Sequence, residues 1–268
     1  MAELESRSFE DIIHIKSVED HRKSFTVYEY NGKSIPRVNE ILEACIGKPY
    51  LQIWASKLGK DYIKTKRETL AIGSLVHEMC EYFMNFGADK DVTIFSNRVY
   101  EAVYNSYNNF KSWYNDMKDK GYIITPLFTE QQTTNPWFGG TIDCIVNIKH
   151  PLMNIDQNYI IDYKTSKKIS PDYILQTYAY LWSWNWNRQF VDGSLPYIHG
   201  IGIIRIGKEF SKDYNDLFIS DSYILSELHY NLSSMVNWFY SYIDTEYLLK
   251  ESKKIYKENG IYGINERF

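Results

Sequence analysis

Residues 159–165 read Tyr-Ile-Ile-Asp-Tyr-Lys-Thr, an apolar run into which an acidic and a basic residue are set. The residues before Asp162 are strand-forming types, which predicts a buried strand. Because side chains on a strand alternate between its faces, Asp162 and Lys164 are expected to share one face. A structural ion pair is one interpretation of this pattern. A carboxylate in an apolar strand is costly unless it is paired or bound to a metal, so the pattern favours a functional site.

A second strand is predicted upstream, from about residue 141 to residue 148. Four apolar residues are expected on one of its faces: Ile142, Cys144, Val146 and Ile148. Asp143 then lies on the other face and meets Asp162 across a β-hairpin. Two converging carboxylates suit a hard cation such as Mg²⁺ or Mn²⁺. Lys164 beside that cation could orient a water molecule or stabilise charge on a phosphate, so the hairpin predicts metal-dependent phosphodiester hydrolysis.

Four short motifs, in this order, resemble the RecB-like branch of the PD-(D/E)XK nucleases, which includes the CRISPR-associated RecB-like exonucleases and the mitochondrial genome maintenance exonuclease. The motifs are Gly-Ser-Leu-Val-His at 73–77, Gly-Thr-Ile-Asp at 140–143, Ile-Asp-Tyr-Lys at 161–164 and Gln-Thr-Tyr-Ala-Tyr at 176–180. The resemblance covers roughly residues 25–205. It implies an α/β fold with a restriction-endonuclease-like core, in which helices flank a central mixed sheet, and with a helical N-terminal elaboration.

The resemblance also implies the ligands of a divalent metal ion, Mg²⁺ or Mn²⁺. These ligands would be three side chains and one backbone carbonyl: His77, Asp143, Asp162 and the carbonyl of Tyr163. Lys164 would be the catalytic lysine. A lone histidine on a helix is more often structural, and here the motif match favours the metal role. Glu130, on a strand predicted from residue 123 to residue 134, is a candidate extra ligand or a residue that supports the ligands.

Several polar residues are candidates for binding DNA. Gln176 and Tyr180 lie on one helical face, and the resemblance implies that they hold DNA or support the site. The net charge of −4 is unfavourable for phosphate binding, so local cations such as Lys167 and Lys168 must compensate. A helix is predicted from Pro49 to about residue 67. Four cationic residues would share one face of it: Lys57, Lys60, Lys64 and Arg67. A solvated helix face is the alternative interpretation.

The composition predicts one large domain, because the 268 residues are 44% hydrophobic and no Pro-, Gly- or Ser-rich linker divides them. The expected segments are a polar N-terminal extension over residues 1–24, one nuclease domain over residues 25–250 and a C-terminal tail over residues 251–268. The expected parts of the domain are a helical part over about 38–120, a catalytic core over about 121–206 and a C-terminal helix over about 222–250.

Cysteine usage and hydropathy indicate the compartment. Cys45, Cys80 and Cys144 lack Cys-x-x-Cys spacing and are expected to be reduced thiols of a cytoplasmic protein. Many relatives in the family that the chain resembles bind an iron–sulfur cluster through four cysteines. This chain has only three cysteines and none after Cys144, so no such cluster is expected here. No apolar run approaches ~18 residues, and the first residues mix charge and polarity. Neither a membrane span nor a signal peptide is therefore expected.

The favoured function is a metal-dependent DNA exonuclease that acts on single-stranded ends in replication, recombination or repair, with a phage-encoded protein as one context. A structure-specific endonuclease of the same fold is one alternative. A non-catalytic DNA-binding subunit of a larger recombination complex is another. The chain lacks the P-loop pattern Gly-x-x-x-x-Gly-Lys-Ser/Thr, so any helicase activity would come from a partner.

Overall fold

The computed structural model describes residues 15–18, 25–47, 49–92, 97–191 and 193–258. Within these ranges the backbone forms eight strands and six α-helices. The strands are β1 (Ile15–Val18), β2 (Phe25–Tyr30), β3 (Lys33–Ile35), β4 (Ile123–Thr134), β5 (Gly139–His150), β6 (Ile155–Lys164), β7 (Gly200–Ile206) and β8 (Tyr214–Ile219). The helices are α1 (Val38–Cys45), α2 (Pro49–Leu58), α3 (Tyr62–Phe86), α4 (Asn97–Asp119), α5 (Pro171–Arg188) and α6 (Ser222–Glu258).

The central sheet has the strand order β4-β5-β6-β7-β8, and β1 to β3 form a separate small sheet. β6 and β7 are parallel, whereas the other neighbouring strands of the central sheet are antiparallel. Parallel strands need a crossover connection, and α5 supplies it. The predicted α/β class, with a central mixed sheet flanked by helices, is confirmed. The arrangement fits a restriction-endonuclease-like core, and α1 to α4 precede the sheet as a helical elaboration.

A hydrophobic core covers each face of the central sheet. The core beneath α3 and α4 includes Val76, Val103, Phe110, Ile161 and Tyr163. The core beneath α1, α5 and α6 includes Ile41, Ile145, Ile160, Ala179 and Val236. Neighbouring residues of β6 enter opposite cores, which is the pattern of a strand that is buried on both faces. A charged residue near the end of β6 is therefore held between two apolar layers.

The predicted cationic helix from residue 49 to residue 67 is wrong as a single element. Gly59 has a φ of +54° and, with a short 3-10 turn, separates α2 from α3. Glycine adopts this left-handed conformation without a steric penalty, which suits it to a helix break. The four cationic residues are consequently divided between α2, the turn and α3, in the order Lys57, Lys60, and Lys64 with Arg67.

The even-numbered apolar residues of β5 do not all pack in the same hydrophobic core. Ile142 packs in the core beneath α5, whereas Cys144, Val146 and Ile148 pack in the core beneath α3 and α4. The prediction that these four residues share a face is therefore wrong for Ile142. The alternation changes at Asp143, which lies between the two parts of the strand. An irregularity of this kind re-aims a side chain.

Some elements differ from the predicted segments. The sheet of β1 to β3 and the edge strand β8 were not predicted, and α6 continues past residue 250 to Glu258. The domain boundaries themselves remain a prediction. Most of the predicted extension over residues 1–24, and residues 259–268 of the predicted tail, lie outside the described residues. Among the helices of the described ranges, none combines the length and the apolar character that a membrane crossing requires.

Candidate active site

A cavity of about 1180 Å³ lies at one end of the central sheet. Its walls come from α3, the carboxyl ends of β6 and β7, and the hairpin between β7 and β8. Because β6 and β7 are parallel, their last residues emerge at the same edge of the sheet. Lys164 and Arg205 are paired in the strand register, and both line the cavity.

Three potential metal ligands meet on one wall of this cavity: His77 from α3, Glu130 from β4 and Asp143 from β5. One ligand atom of each lies within 4.8 Å of the ligand atoms of the other two. Nδ1 of His77 is 3.4 Å from Oδ2 of Asp143. The same oxygen accepts a hydrogen bond of 2.8 Å from the backbone N–H of Tyr163. The backbone of β6 thus fixes the Asp143 carboxylate toward the histidine.

The backbone is irregular where Glu130 and Asp143 face each other. Thr129 pairs with Cys144 on one side of these two residues, and Gln131 pairs with Ile142 on the other side. Glu130 has a φ of +45°, which is uncommon for a residue other than glycine. Such a conformation costs free energy and is found preferentially at functional sites. The irregularity lies at the level of the two carboxylates of the cluster.

Lys164 reaches the cavity from the end of β6 and is held from several sides. Its Nζ is 2.7 Å from Oδ2 of Asp162, and the two side chains are 16% and 3% exposed. Nζ also donates a 3.1 Å hydrogen bond to Oε1 of Gln176. Nε2 of Gln176 donates in turn to the hydroxyl of Tyr180, at 2.8 Å. Gly140 permits this arrangement, because a Cβ atom there would overlap the Tyr180 ring. Helix α5 therefore positions the ammonium group.

Electrostatic interactions within the ligand cluster are strong. Burial disfavours a charged His77, but the neighbouring Asp143 carboxylate outweighs this effect and raises the His77 pKa to about 9. Burial also opposes charge on Asp143, and His77 and Lys164 nevertheless hold its pKa below the ordinary value. Desolvation, followed by repulsion from Asp143 and Glu81, raises the pKa of Glu130 to about 7. Glu130, unlike Asp143, therefore lacks a neighbouring positive charge strong enough to offset its burial.

The buried ion pair behaves differently. Burial raises the pKa of Asp162 to about 6, against the attraction of Lys164. Burial opposes the charge on Lys164, but Asp162 and Asp143 outweigh it and raise the lysine pKa. Lys164 is therefore a permanent cation at the cavity wall. Oδ2 of Asp162 is buried and has no aligned hydrogen-bond donor, despite its contact with the ammonium group.

The donor atoms fit a hard divalent cation. Carboxylate oxygens are the preferred ligands of Mg²⁺ and Mn²⁺, and an imidazole nitrogen can complete such a set. A cation between Glu130 and Asp143 would relieve their mutual repulsion. Oδ2 of Asp162 is ion-paired with Lys164 and is not part of the cluster. The residues present are therefore those that a divalent-metal site requires.

The structure separates the predicted site residues into groups. His77, Glu130 and Asp143 form the candidate metal cluster, which does not include Asp162. Gln176 and Tyr180 support Lys164, and the backbone N–H of Tyr163 contacts Asp143. Lys167 lines the cavity. The remaining cationic candidates are exposed and lie outside its lining: Lys57, Lys60, Lys64, Arg67 and Lys168.

Several residues of the cavity wall escaped the sequence analysis, among them Tyr173, Arg205 and Lys208. The ring of Tyr173 lies under the lysine, with Nζ of Lys164 4.9 Å from its centroid. Nothing in the sequence distinguishes this tyrosine from the others of α5. Arg205 interrupts the strand Ile-Ile-Arg-Ile at 203–206, which is the same signal that marks Asp162. A charged residue inside an apolar strand therefore also marks Arg205 as a candidate site residue.

The fold and the site define an α/β protein with a candidate divalent-metal centre at the edge of its sheet. No family model matches the chain, and no curated protein is significantly similar to it. One similar solved structure is an alkaline exonuclease (LHK-Exo) from Laribacter hongkongensis, with 12% identity, a TM-score of 0.37 and coverage of 82% of this chain and 94% of that chain. Another is a phage related exonuclease from Haemophilus somnus 129PT, with 12% identity, a TM-score of 0.32 and coverage of 79% and 96%.

Proposed function

We propose that the chain is a divalent-metal-dependent nuclease that hydrolyses phosphodiester bonds of DNA, as an exonuclease on single-stranded ends. One observation carries the proposal: a cluster of His77, Glu130 and Asp143 shares a cavity with a buried, charge-paired Lys164. Acidic metal ligands beside a fixed cation suit the transfer of a phosphoryl group, in which negative charge develops next to the metal.

Each residue has a defined task in this proposal. His77, Glu130 and Asp143 would hold Mg²⁺ or Mn²⁺, and Asp162 is a further predicted ligand. When bound, such an ion polarises a phosphoryl oxygen and lowers the pKa of a coordinated water molecule. Lys164 holds its proton and stabilises negative charge at the scissile phosphate. Its orientation is fixed before substrate arrives, so little reorganisation is needed during the reaction.

The charge distribution in the cavity supports a nucleic-acid substrate. The net charge of −4 is unfavourable for binding DNA. The cavity is nevertheless lined by four basic side chains: Lys164, Lys167, Arg205 and Lys208. Six acidic side chains also line it, and Arg205 is ion-paired with one of them, Asp213. Lys164, Lys167 and Lys208 are the basic groups that would contact phosphates while one phosphate lies against the metal ligands.

The resemblance to the RecB-like branch supports finer statements that we also propose. In that branch an exonuclease of this kind serves replication, recombination or repair, and a helicase or recombination protein would be its partner. We further propose that the Tyr163 carbonyl contributes to metal binding. We propose that Lys168, Lys57, Lys60, Lys64 and Arg67 contact DNA outside the cavity.

A cleavage assay tests the proposal. The substrates are end-labelled linear single-stranded DNA, linear double-stranded DNA and circular single-stranded DNA, each with Mg²⁺, Mn²⁺ or EDTA. We expect metal-dependent loss of linear DNA while the circle is spared, because an exonuclease needs an end. The Asp143→Asn variant should lose cleavage, since it weakens the ligand cluster. Asp156→Asn, a carboxylate at the other end of β6, is the matched control and should cleave normally.

Other outcomes would change the conclusion. Cleavage of the circle would show an endonuclease of the same fold. Binding of DNA without cleavage under any metal condition would favour the DNA-binding subunit. Normal cleavage by Asp143→Asn would contradict the assignment of the site.

A further inference from the structure

The hairpin between β7 and β8 forms one rim of the cavity. Gly207, Lys208, Glu209 and Asp213 from this hairpin line the cavity together with the metal-ligand cluster and Lys164. The hairpin follows the carboxyl end of β7, and β7 is the parallel neighbour of β6. A chain bound in the cavity at this edge of the sheet would therefore lie beside the hairpin.

The hairpin is held firmly by α4. Asn109 is 1% exposed, and its Nδ2 donates hydrogen bonds of 3.0 Å and 2.9 Å to the carbonyls of Gly207 and Glu209. Its Oδ1 accepts a hydrogen bond of 3.1 Å from the N–H of Asp213. Asn105 donates a further one, of 3.1 Å, to the carbonyl of Lys208. Four backbone groups on the two sides of the tip are thus held by one helix.

The tip itself is strained. Ser211 and Lys212 are consecutive residues with φ values of +68° and +51°. Left-handed conformations of non-glycine residues persist only where the surroundings impose them. Here the contacts with α4 and the ion pair between Lys212 and Asp116, at 3.3 Å, supply those constraints. The hairpin is therefore a preorganised element with one defined shape.

Phe210 is the residue that this rigid tip presents to solvent, with 83% of its surface exposed. It follows Glu209, which lines the cavity, and it lies two residues from Lys208, which also does. Leu152 is similarly exposed, at 95%, but it lies on the turn between β5 and β6. That turn is at the opposite end of β6 from Lys164. An exposed ring therefore follows directly after two cavity-lining residues, on a loop whose two sides are held by α4.

We propose that Phe210 is a stacking platform for an unpaired base of the nucleic acid that enters the cavity, with Lys208 contacting the adjacent phosphate. This proposal rests on the proposed function, since it names how the substrate of that site is gripped. Single-stranded nucleic acids are bound by aromatic faces beside cations that follow the phosphate backbone. Phe210 supplies the face, and Lys208 and Lys167 supply the cations, whereas Arg205 is ion-paired with Asp213. A rigid loop loses little conformational freedom when a base stacks on it.

The experiment measures binding of the full chain to single-stranded oligonucleotides in EDTA, where the proposed cleavage is switched off. One set of oligonucleotides carries 2-aminopurine at successive positions, and a second set has an abasic site at each position. The variants are Phe210→Ala, Phe210→Leu and Phe210→Trp, with Leu152→Ala as the matched control at the far turn. Melting temperatures verify that all variants fold.

We expect the fluorescence of 2-aminopurine to change at one position in the wild type and in Phe210→Trp. Phe210→Ala and Phe210→Leu should bind roughly 10-fold more weakly and should lose that signal, because leucine keeps the apolar surface without the aromatic face. An abasic site at the same position should remove the difference between the variants. Leu152→Ala should bind like the wild type.

The outcomes separate the two proposals. If Phe210→Ala binds like the wild type while metal-dependent cleavage is observed, the stacking role is overturned and the nuclease stands. If binding depends on Phe210 but no metal supports cleavage, the stacking role stands and the nuclease falls. A wild type that binds no oligonucleotide overturns the stacking role. An equal loss in Leu152→Ala and Phe210→Ala also overturns it, because the effect would then not be local.

Discussion

An ion pair of aspartate and lysine lies at each end of β6, with both residues on β6 at one end and with Lys149 of the neighbouring β5 at the other. Near the turn that precedes β6, Nζ of Lys149 is 3.1 Å from Oδ2 of Asp156, and the side chains are 49% and 61% exposed. At the other end, Lys164 and Asp162 are 2.7 Å apart and nearly buried. Exposed pairs contribute little to stability, whereas a buried pair must offset the desolvation of both ions. The buried pair is therefore the one that needs a chemical explanation.

Each pair also has an amide neighbour. Gln176 accepts a hydrogen bond from Lys164, and Asn147 donates one of 2.8 Å to Asp156. The chemical groups at the two ends are thus closely matched. What differs is burial and the presence of the ligand cluster. Variants of equivalent residues at the two ends therefore separate the effect of the site from the effect of a charge pair.

The largest expected difference concerns the two lysines. Lys164→Ala should lower the cleavage rate about 100- to 1000-fold, because a fixed cation that stabilises developing charge is lost. Lys149→Ala should cleave like the wild type. Single-turnover cleavage of linear DNA at saturating protein measures both rates. Equal rates for the two variants would contradict the role of Lys164.

The second difference concerns metal binding. Mn²⁺ at about 100 times its dissociation constant should stabilise the wild type by about 2.7 kcal/mol, because it binds the folded state. Asp156→Asn should keep this stabilisation, and Asp143→Asn should lose most of it. Thermal unfolding with and without Mn²⁺, together with titration calorimetry, measures the effect without any substrate. A full Mn²⁺ shift in Asp143→Asn would place the metal elsewhere.

A smaller difference is expected for the amide neighbours. Gln176→Ala should lower kcat about 10-fold and leave KM nearly unchanged, because the glutamine acts by positioning Lys164. Asn147→Ala should change neither constant. Steady-state cleavage of linear DNA provides both values. A rise in KM alone would indicate that Gln176 contacts DNA, which is the other role implied by the resemblance.

The smallest expected effect is on the pKa of Asp156, at the exposed end of β6. The hydrogen bond from Asn147, followed by that from Lys149, lowers the pKa of Asp156 from its ordinary value of 3.8. The folded-state pKa lies below the unfolded one, so the stabilisation is present above the unfolded pKa and is lost as pH falls through the folded pKa. Asn147→Ala should move the pKa back toward 3.8, whereas Gln176→Ala should not. Titration of the carboxyl carbon by NMR measures it.

The sequence predicts the framework of the site because strand periodicity is a local property. The pairing of Asp162 with Lys164 follows from a spacing of two residues, and β4 is observed with the predicted bounds, Ile123–Thr134. The proximity of Gln176 to Tyr180 follows from helical spacing in the same way. Patterns of this kind need no knowledge of the rest of the fold.

The remainder depends on contacts that the local sequence does not encode. The left-handed backbone at Glu130 and the change of face at Asp143 lie between the register pairs Thr129–Cys144 and Gln131–Ile142. β8 reads Tyr-Asn-Asp-Leu-Phe-Ile, which lacks the alternation expected of a strand, and it is defined by its pairing with β7. The helix break at Gly59 was missed because a single glycine inside a helical pattern is often tolerated.

The parallel pairing of β6 and β7 has a consequence for the order in which the protein is made. A growing chain that has reached residue 164 already contains His77, Glu130, Asp143, Asp162 and Lys164. Strands β4, β5 and β6 are then complete and can pair as an antiparallel meander joined by short hairpins. Gln176 and β7, the second strand that pairs with β6, are synthesised only later. The parallel pairing of β7 with β6 requires the closure of a long loop. A nascent chain therefore contains the candidate metal-binding residues before it contains the glutamine that holds Lys164, so the complete candidate site forms late in synthesis.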